Sequence, residues 1–247
     1  MTSLASNYFT VTDKVSYFDC DNRRKMRVSA AIRCMQRCSC EQMIHLGIPL
    51  EKLLAERMAL ILTKICIKVH RLPECNENLI VGTIPVGPVG VKYHREYFLD
   101  SENGERLVSA FSYWILVDPE TRKLLRPANF PYDWDLRPSL LADIIGDIPF
   151  PKRSIPGTIK ASIPVRYSDI DWNNHVNNTV YADFICDGLL DEIHKNRKID
   201  VFSITFKNES ILGDRINVFA EILDGGEHYL IGRHDRGTCF EGLLRFA

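Results

Sequence analysis

Between Asp169 and Phe184 the chain reads DIDWNNHVNNTVYADF, which sets a carboxylate, an amide and an imidazole at alternate positions, Asp171, Asn173 and His175. Side chains of these types can hold a water, move a proton or act as a nucleophile. A second acid, Glu209, stands downstream in TFKNES. Taken singly, each residue has a bland explanation. Asn177 or Asn178 suits a helix N-cap, Asp171 and Asn173 suit side-chain turns, and His175 suits a satisfied buried position. Taken as a set with a further acid, they read as a site. Calcium is excluded by spacing: an EF-hand loop counted from Asp169 needs Gly at position six and Glu at position twelve, where the chain has Asn174 and Val180.

The elements that must position these groups follow from periodicity and punctuation. A helix is predicted from about Asn178 to Lys195, preceded by a strand in TIKASIPVRYSDID and followed by strands in DVFSITFKNES, RINVFAEIL, HYLIGRHDR and TCFEGLLRF. Gly225-Gly226 marks a turn between two of them. In the first half, apolar residues at Val28, Ile32, Met35, Cys38, Met43 and Leu46 predict a helix over 29–46, ended by Gly47 and Pro49. Ala30, Ala31 and Cys34 make it apolar on more than one side, as an enclosed helix is. Strands are predicted in LILTKICIKVHRL, NLIVGTIPV, VKYHREYFLD and RLVSAFSYWILVD, with Asn103-Gly104 as a hairpin turn and DPETRK as another.

The two halves repeat each other. YFDCDNRRKMRVSAA lies over RYSDIDWNNHVNNTV, with Asp19 over Asp169 and Asp21 over Asp171 at an offset of 150 residues. Arg23 and Lys25 stand where the second half has Asn173 and His175, and Leu72 falls opposite Glu209. One half therefore carries the polar set and the other a degenerate copy. The organisation expected is an N-terminal repeat over 1–127, a Pro-rich connecting segment over 128–157, in which SLLADIIG suits one short helix, and a C-terminal catalytic repeat over 158–247.

Composition narrows the function classes. The 247 residues are 45% apolar with a net charge of -1 and a pI near 6.7, so no global field recruits nucleic acid or an anionic membrane. No apolar run approaches the ~20 residues of a membrane helix. MTSLASNYFTV has the character of neither a signal peptide nor an obvious transit peptide, so a soluble, cytoplasmic protein is expected. The eight cysteines show no framework spacing, which favours reduced thiols. Cys34, Cys38 and Cys40 are the only cluster, but Cys40 leaves the helical face that the other two share, and a core role outweighs zinc. No metal and no cofactor is expected.

The segment SDIDWNNHVNNTVY resembles the signature of acyl-acyl carrier protein (acyl-ACP) thioesterases, plant and bacterial, which carry Asp-x-Asn-x-His-Val-Asn-Asn before the helix of their second hot-dog repeat. MRVSAAIRCMQRCSCEQMIHLGI, SYWILVDPETRKLLRP and ITFKNESILGD resemble further family segments, so the likeness spans about Val15 to Val218. It implies an α+β fold, a tandem (double) hot-dog in which an antiparallel sheet wraps a long central helix in each repeat, and bacterial-type members are the nearer match. It implies hydrolysis of fatty acyl-acyl carrier protein, releasing free fatty acid and carrier thiol and ending chain elongation. Asp171, Asn173, His175 and Glu209 would form the site. Ser210 stands where plant relatives commonly have Cys, which argues against a thiol nucleophile.

Chemically, Asp171 can attack as a carboxylate or serve as base for a water, with Glu209 as base in the first scheme and as a polarising carboxylate in the second. Asn173 would orient and His175 polarise and donate. Both schemes need the same groups. Backbone N–H groups near Val176 and Asn177 are the expected oxyanion donors. Met35, Cys38, Met58, Leu60, Leu62 and Trp172 are candidates for an acyl pocket. Arg23, Arg24, Lys25, Lys152 and Arg153 are candidates for docking the acidic carrier. A homodimer is compatible with this reading. An acyl-coenzyme A thioesterase and a non-catalytic acyl-binding protein remain the alternatives.

Overall fold

In the computed structural model, residues 8–132, 136–137, 139, 150–151, 158–189, 192 and 197–247 are described. They fall into two compact units. The first contains β1 (Phe9–Lys14), α1 (Val28–His45), α2 (Leu50–Ala55), β2 (Ala59–Val69), β3 (Asn78–Val89), β4 (Lys92–Ser101) and β5 (Arg106–Val117). The second contains β6 (Ile159–Pro164), α3 (Val180–Asp187), β7 (Ile199–Phe206), β8 (Arg215–Ile222), β9 (His228–His234) and β10 (Gly237–Phe246), and Cys66–Val69 at the end of β2 group with it. Strand order is β1-β3-β4-β5-β2 in the first unit and β6-β8-β9-β10-β7 in the second. The strand order is thus the same in both units, as the internal duplication predicts.

Small residues let α1 sit close to its sheet: Ala30, Ala31, Cys34 and Cys38 are all buried along it, together with the larger Met35. Gly47, at φ +72°, turns the chain out of the helix in the left-handed conformation. Each unit then seats an aromatic ring on a glycine across a strand pair. Phe98 covers Gly82 in the first unit and Phe240 covers Gly232 in the second. A Cβ at Gly82 would lie 2.0 Å from the Phe98 ring, and one at Gly232 would lie 2.1 Å from Phe240. Inside the first unit the buried Arg95 of β4 donates to Gln42 of α1 at 2.5 Å and to Thr83 of β3 at 2.9 Å, tying helix to sheet.

Several boundaries differ from the sequence expectation. The run through TIKASIPVRYSDID breaks after Pro164 into a single 3-10 turn at Tyr167–Asp169, because a proline and an Asp cap close the extended segment. The second helix begins at Val180; positions 190–191 and 193–196 of its predicted course lie outside the described residues, as does SLLADIIG beyond Ser139. β1 and α2 were not foreseen from periodicity, being six residues each, too short for a pattern to emerge.

Candidate active site

Two segments of the second unit meet at the predicted residues. The first is the turn before α3. Asp171 N–H donates to the His175 carbonyl at 2.9 Å, Asn174 N–H donates back to the Asp171 carbonyl at 3.0 Å, and Asn174 takes φ +63°. Asparagine is among the few residues that tolerate this conformation well. One carboxylate oxygen of Asp171 accepts the Asn173 N–H at 2.8 Å, a side-chain turn of the kind its composition suggests. The second segment follows β7 and brings Glu209 to His175, with Oε2 3.0 Å from Nε2. His175 is partly exposed and Glu209 more so, so the pair faces solvent rather than core. An ionised Glu209 only accepts, so Nε2 carries a proton and Nδ1 is the basic nitrogen when the ring is neutral.

The backbone around the pair is tied down. Ser210 N–H donates to the Tyr181 hydroxyl at 3.1 Å, and the Ser210 carbonyl accepts the Val176 N–H at 2.8 Å. Burial pushes the Tyr181 phenol up to about 12, so it stays neutral in its ring cage. Ser210 itself is 0% exposed, so the side chain after Glu209 is a structural one. Tyr181 was not singled out from the sequence. The signal was available: a tyrosine on an apolar helix face needs a polar partner for its hydroxyl.

Three expectations require correction. Val176 and Asn177 are not oxyanion donors in this geometry, because their N–H groups already bond the carbonyls of Ser210 and Asp169, at 2.8 and 2.9 Å. Thr179 N–H goes to the Asn177 side chain and Val180 N–H to the Asn177 carbonyl, both at 2.9 Å. Asn178 N–H, like those of Trp172 and His175, has no partner among the described residues. Trp172 does not line an apolar pocket, since it is 65% exposed and points outward from the turn. Among the docking candidates, Arg23 and Lys25 are each held by an acid, Asp21 at 2.6 Å and Glu74 respectively, which leaves Arg24 exposed. Lys152 and Arg153 lie outside the described residues. Met35, Cys38, Met58 and Leu62 are buried in the first unit, with Leu60 partly so. Cys34 and Cys38 spend their thiols as donors, to Asp13 at 3.2 Å and to the Val81 carbonyl at 3.4 Å.

The first unit repeats this framework with other side chains. Asp21 N–H bonds the Lys25 carbonyl at 2.8 Å, Arg24 takes φ +63°, and Met26 N–H bonds the Pro73 carbonyl at 2.8 Å. Pro73 thus corresponds to Ser210, and Leu72 to Glu209, the correspondence read from the sequence. Without an acid there, Lys25 turns to Glu74 instead.

A family model for the acyl-ACP thioesterase N-terminal domain matches residues 6–129, and one for the C-terminal domain matches residues 154–238. The chain is 24% identical over 194 residues to the chloroplastic acyl-[acyl-carrier-protein] hydrolase FATB2 of Cuphea viscosissima, covering 75% of this chain and 45% of that one. It is 24% identical over 189 residues to the chloroplastic dodecanoyl-[acyl-carrier-protein] hydrolase of Cinnamomum camphora, covering 72% and 47%. The chain spans about half the length of the curated relatives it matches. Among solved structures, an acyl-ACP thioesterase from Bacteroides thetaiotaomicron superposes with a TM-score of 0.89 at 19% identity, covering 100% of both chains. The 12:0-ACP thioesterase from Umbellularia californica superposes with a TM-score of 0.85 at 16% identity, covering 99% of both. The fold is the double hot-dog. The chain belongs to the acyl-ACP thioesterase family.

Proposed function

We propose that this protein hydrolyses the thioester of fatty acyl groups carried on acyl carrier protein, releasing the free fatty acid and the carrier thiol. The observation that carries the reading is the His175–Glu209 pair, 3.0 Å apart, beside the Asp171–Asn173 turn in one unit only. Glu209 orients the imidazole, and Nδ1 of His175 takes the proton of an attacking water. Asp171 holds that water with the carboxylate oxygen its own turn does not use, and Asn173 steadies it. The Asn178 N–H is the donor we assign to the oxyanion. The proton on His175 then passes to the departing thiolate, so the base is restored at the end of each turnover.

The first unit supplies the acyl-chain contacts in this reading, at Met35, Cys38, Met58, Leu60 and Leu62, and Arg24 contributes to carrier docking. A fatty acid-producing role in the cytoplasm, and a homodimer, belong to the same proposal. The test is thiol release from acyl carrier protein and from acyl-coenzyme A substrates over several chain lengths, with Asp171→Ala alongside. Release from the carrier substrate that vanishes in the variant supports the reading. Preference for coenzyme A reassigns the substrate, and no release from either thioester leaves an acyl-binding protein.

A further inference from the structure

Glu209 lies in a loop between β7 and β8, and loops hold a carboxylate in place only if something fixes their backbone. The fixing groups come from the hairpin of β9 and β10. The Glu209 carbonyl accepts from His234 Nε2 at 3.1 Å and from the Arg236 guanidinium at 3.3 Å. Arg236 N–H donates to His234 Nδ1 at 3.1 Å, so the ring proton sits on Nε2 and points at Glu209. The same guanidinium reaches Asp214 at 2.5 Å, and that carboxylate oxygen also takes the Ile211 N–H at 2.8 Å. One step earlier in the loop, Asn208 donates from its side chain to the Thr238 carbonyl at 2.6 Å. His234 is buried, while Arg236 stands at the surface.

The duplicated half shows which part of this is general scaffolding. There Glu77 stands in for Asp214 and accepts the Glu74 N–H at 2.7 Å, and its cation is Arg71 from the same loop, at 2.8 Å. Among the described residues no side chain donates to the Leu72 carbonyl, the counterpart of Glu209. The carboxylate brace is therefore common to both units, and the pair of donors on the backbone carbonyl belongs to the unit that carries Glu209.

We propose that His234 and Arg236 are positioning residues for the hydrolysis, holding the main chain at Glu209 so that its carboxylate stays on His175. The proposal rests on the catalytic reading of that pair. The test uses the full chain with His234→Ala, His234→Gln, Arg236→Ala and Arg236→Lys. Each variant is followed by thiol release and by the nitrogen resonances of the His175 ring. Loss of a backbone tie displaces a catalytic group by a fraction of an ångström to about an ångström, so kcat falls roughly 10- to 100-fold with KM little changed. Gln at 234 can still donate to the carbonyl and restores most of kcat. Lys at 236 keeps the Asp214 pair without the fork and restores less. In the Ala variants the His175 ring signals move toward those of Glu209→Gln. Should His234→Ala unfold, Arg236→Ala, a surface change, decides alone.

Folded variants with kcat within about twofold of the parent protein and unmoved His175 signals would overturn the proposal, as would a change confined to KM. If the parent protein releases no thiol, the hydrolase reading fails by itself. The ring signals then still report whether His234 and Arg236 hold Glu209 against His175.

Discussion

Removing one oxygen from Tyr181 isolates the contribution of the loop's other anchor. In Tyr181→Phe the ring keeps its edge-on contacts with Phe184, Phe206 and Phe240, whose centroids lie 6.0, 5.8 and 5.7 Å away. What disappears is the acceptor for Ser210 N–H, 3.1 Å distant. A neutral hydrogen bond contributes about 1 kcal/mol net, but a buried donor left without any acceptor costs about 1–3 kcal/mol. Ser210 is 0% exposed, so water cannot replace the phenol, and the larger figure applies. For a chain of this size each kcal/mol moves the melting temperature by about 2–4 °C, which gives a drop of roughly 2–12 °C. Scanning calorimetry reads it directly, and urea unfolding should show a lower midpoint with an unaltered slope. The peptide that loses its tie joins Glu209 to Ser210, so kcat should also fall, by about two- to tenfold, less than when the Glu209 carbonyl itself is released. A variant within about 0.5 kcal/mol of the parent protein, with full turnover, would refute the assignment of Tyr181 as the anchor.

The remaining expectations follow from the same coordinates. Glu209→Gln should lower kcat roughly 10²- to 10⁴-fold in the thiol-release assay, whereas Asp21→Asn in the first unit should leave it within about twofold. Gly232→Ala places a Cβ 2.1 Å from the Phe240 ring, and overpacking of this kind costs about 1–3 kcal/mol, to be read from denaturant unfolding. Burial, with Asp13 adding to it at Cys34, pushes the thiols of Cys34 and Cys38 up from 9.0 to about 12, and burial lifts Cys239 to about 11. Above pH 9 the unfolded chain has lost those protons while the native one retains them, so stability should fall as pH rises. Each thiol contributes a slope of up to about 1.4 kcal/mol per pH unit, and urea midpoints at pH 8, 9 and 10 test it against a variant lacking the three thiols.

Much of this arrangement was legible in the chain because its strongest signals are periodic or duplicated. The α1 stripe from Val28 to Leu46 and the Asn103-Gly104 hairpin each rest on a local rule that tertiary packing left intact. The candidate site was legible as a set of side chains, since Asp171, Asn173 and His175 occupy one turn, and the loop after β7 brings Glu209 to His175. Its backbone chemistry was not. Val176 and Asn177 precede a helix, which suggests idle N–H donors, but whether an amide is idle depends on which carbonyl the fold brings beside it. Ser210 arrives from a distant segment and Asp169 from the preceding turn. Trp172 misled for a related reason: an aromatic residue within a polar motif invites a pocket assignment, while the turn's hydrogen bonds dictate that it faces outward.

The two halves together indicate what separates a scaffold aspartate from the one proposed to be catalytic. Asp21 and Asp171 brace the same turn, each accepting a backbone N–H two residues on, at 2.9 and 2.8 Å. In the first unit the other oxygen is taken as well, by Arg23 Nε at 2.8 Å and its terminal nitrogen at 2.6 Å. In the second unit Asn173 replaces that arginine, and among the described residues nothing donates to the second oxygen of Asp171. One oxygen serves the fold and one is left for chemistry. Asn173→Arg would convert the second turn to the first: the new guanidinium can fold onto Asp171 as Arg23 does onto Asp21, and the turn would be braced no worse. The expected outcome is an unfolding free energy unchanged or raised by up to about 1 kcal/mol, as for an exposed ion pair. Thiol release should fall by at least about 100-fold, the contribution of a positioned acid or base. Normal turnover in a folded Asn173→Arg protein would mean that the second oxygen of Asp171 takes no part in the reaction, and that His175 with Glu209 suffices.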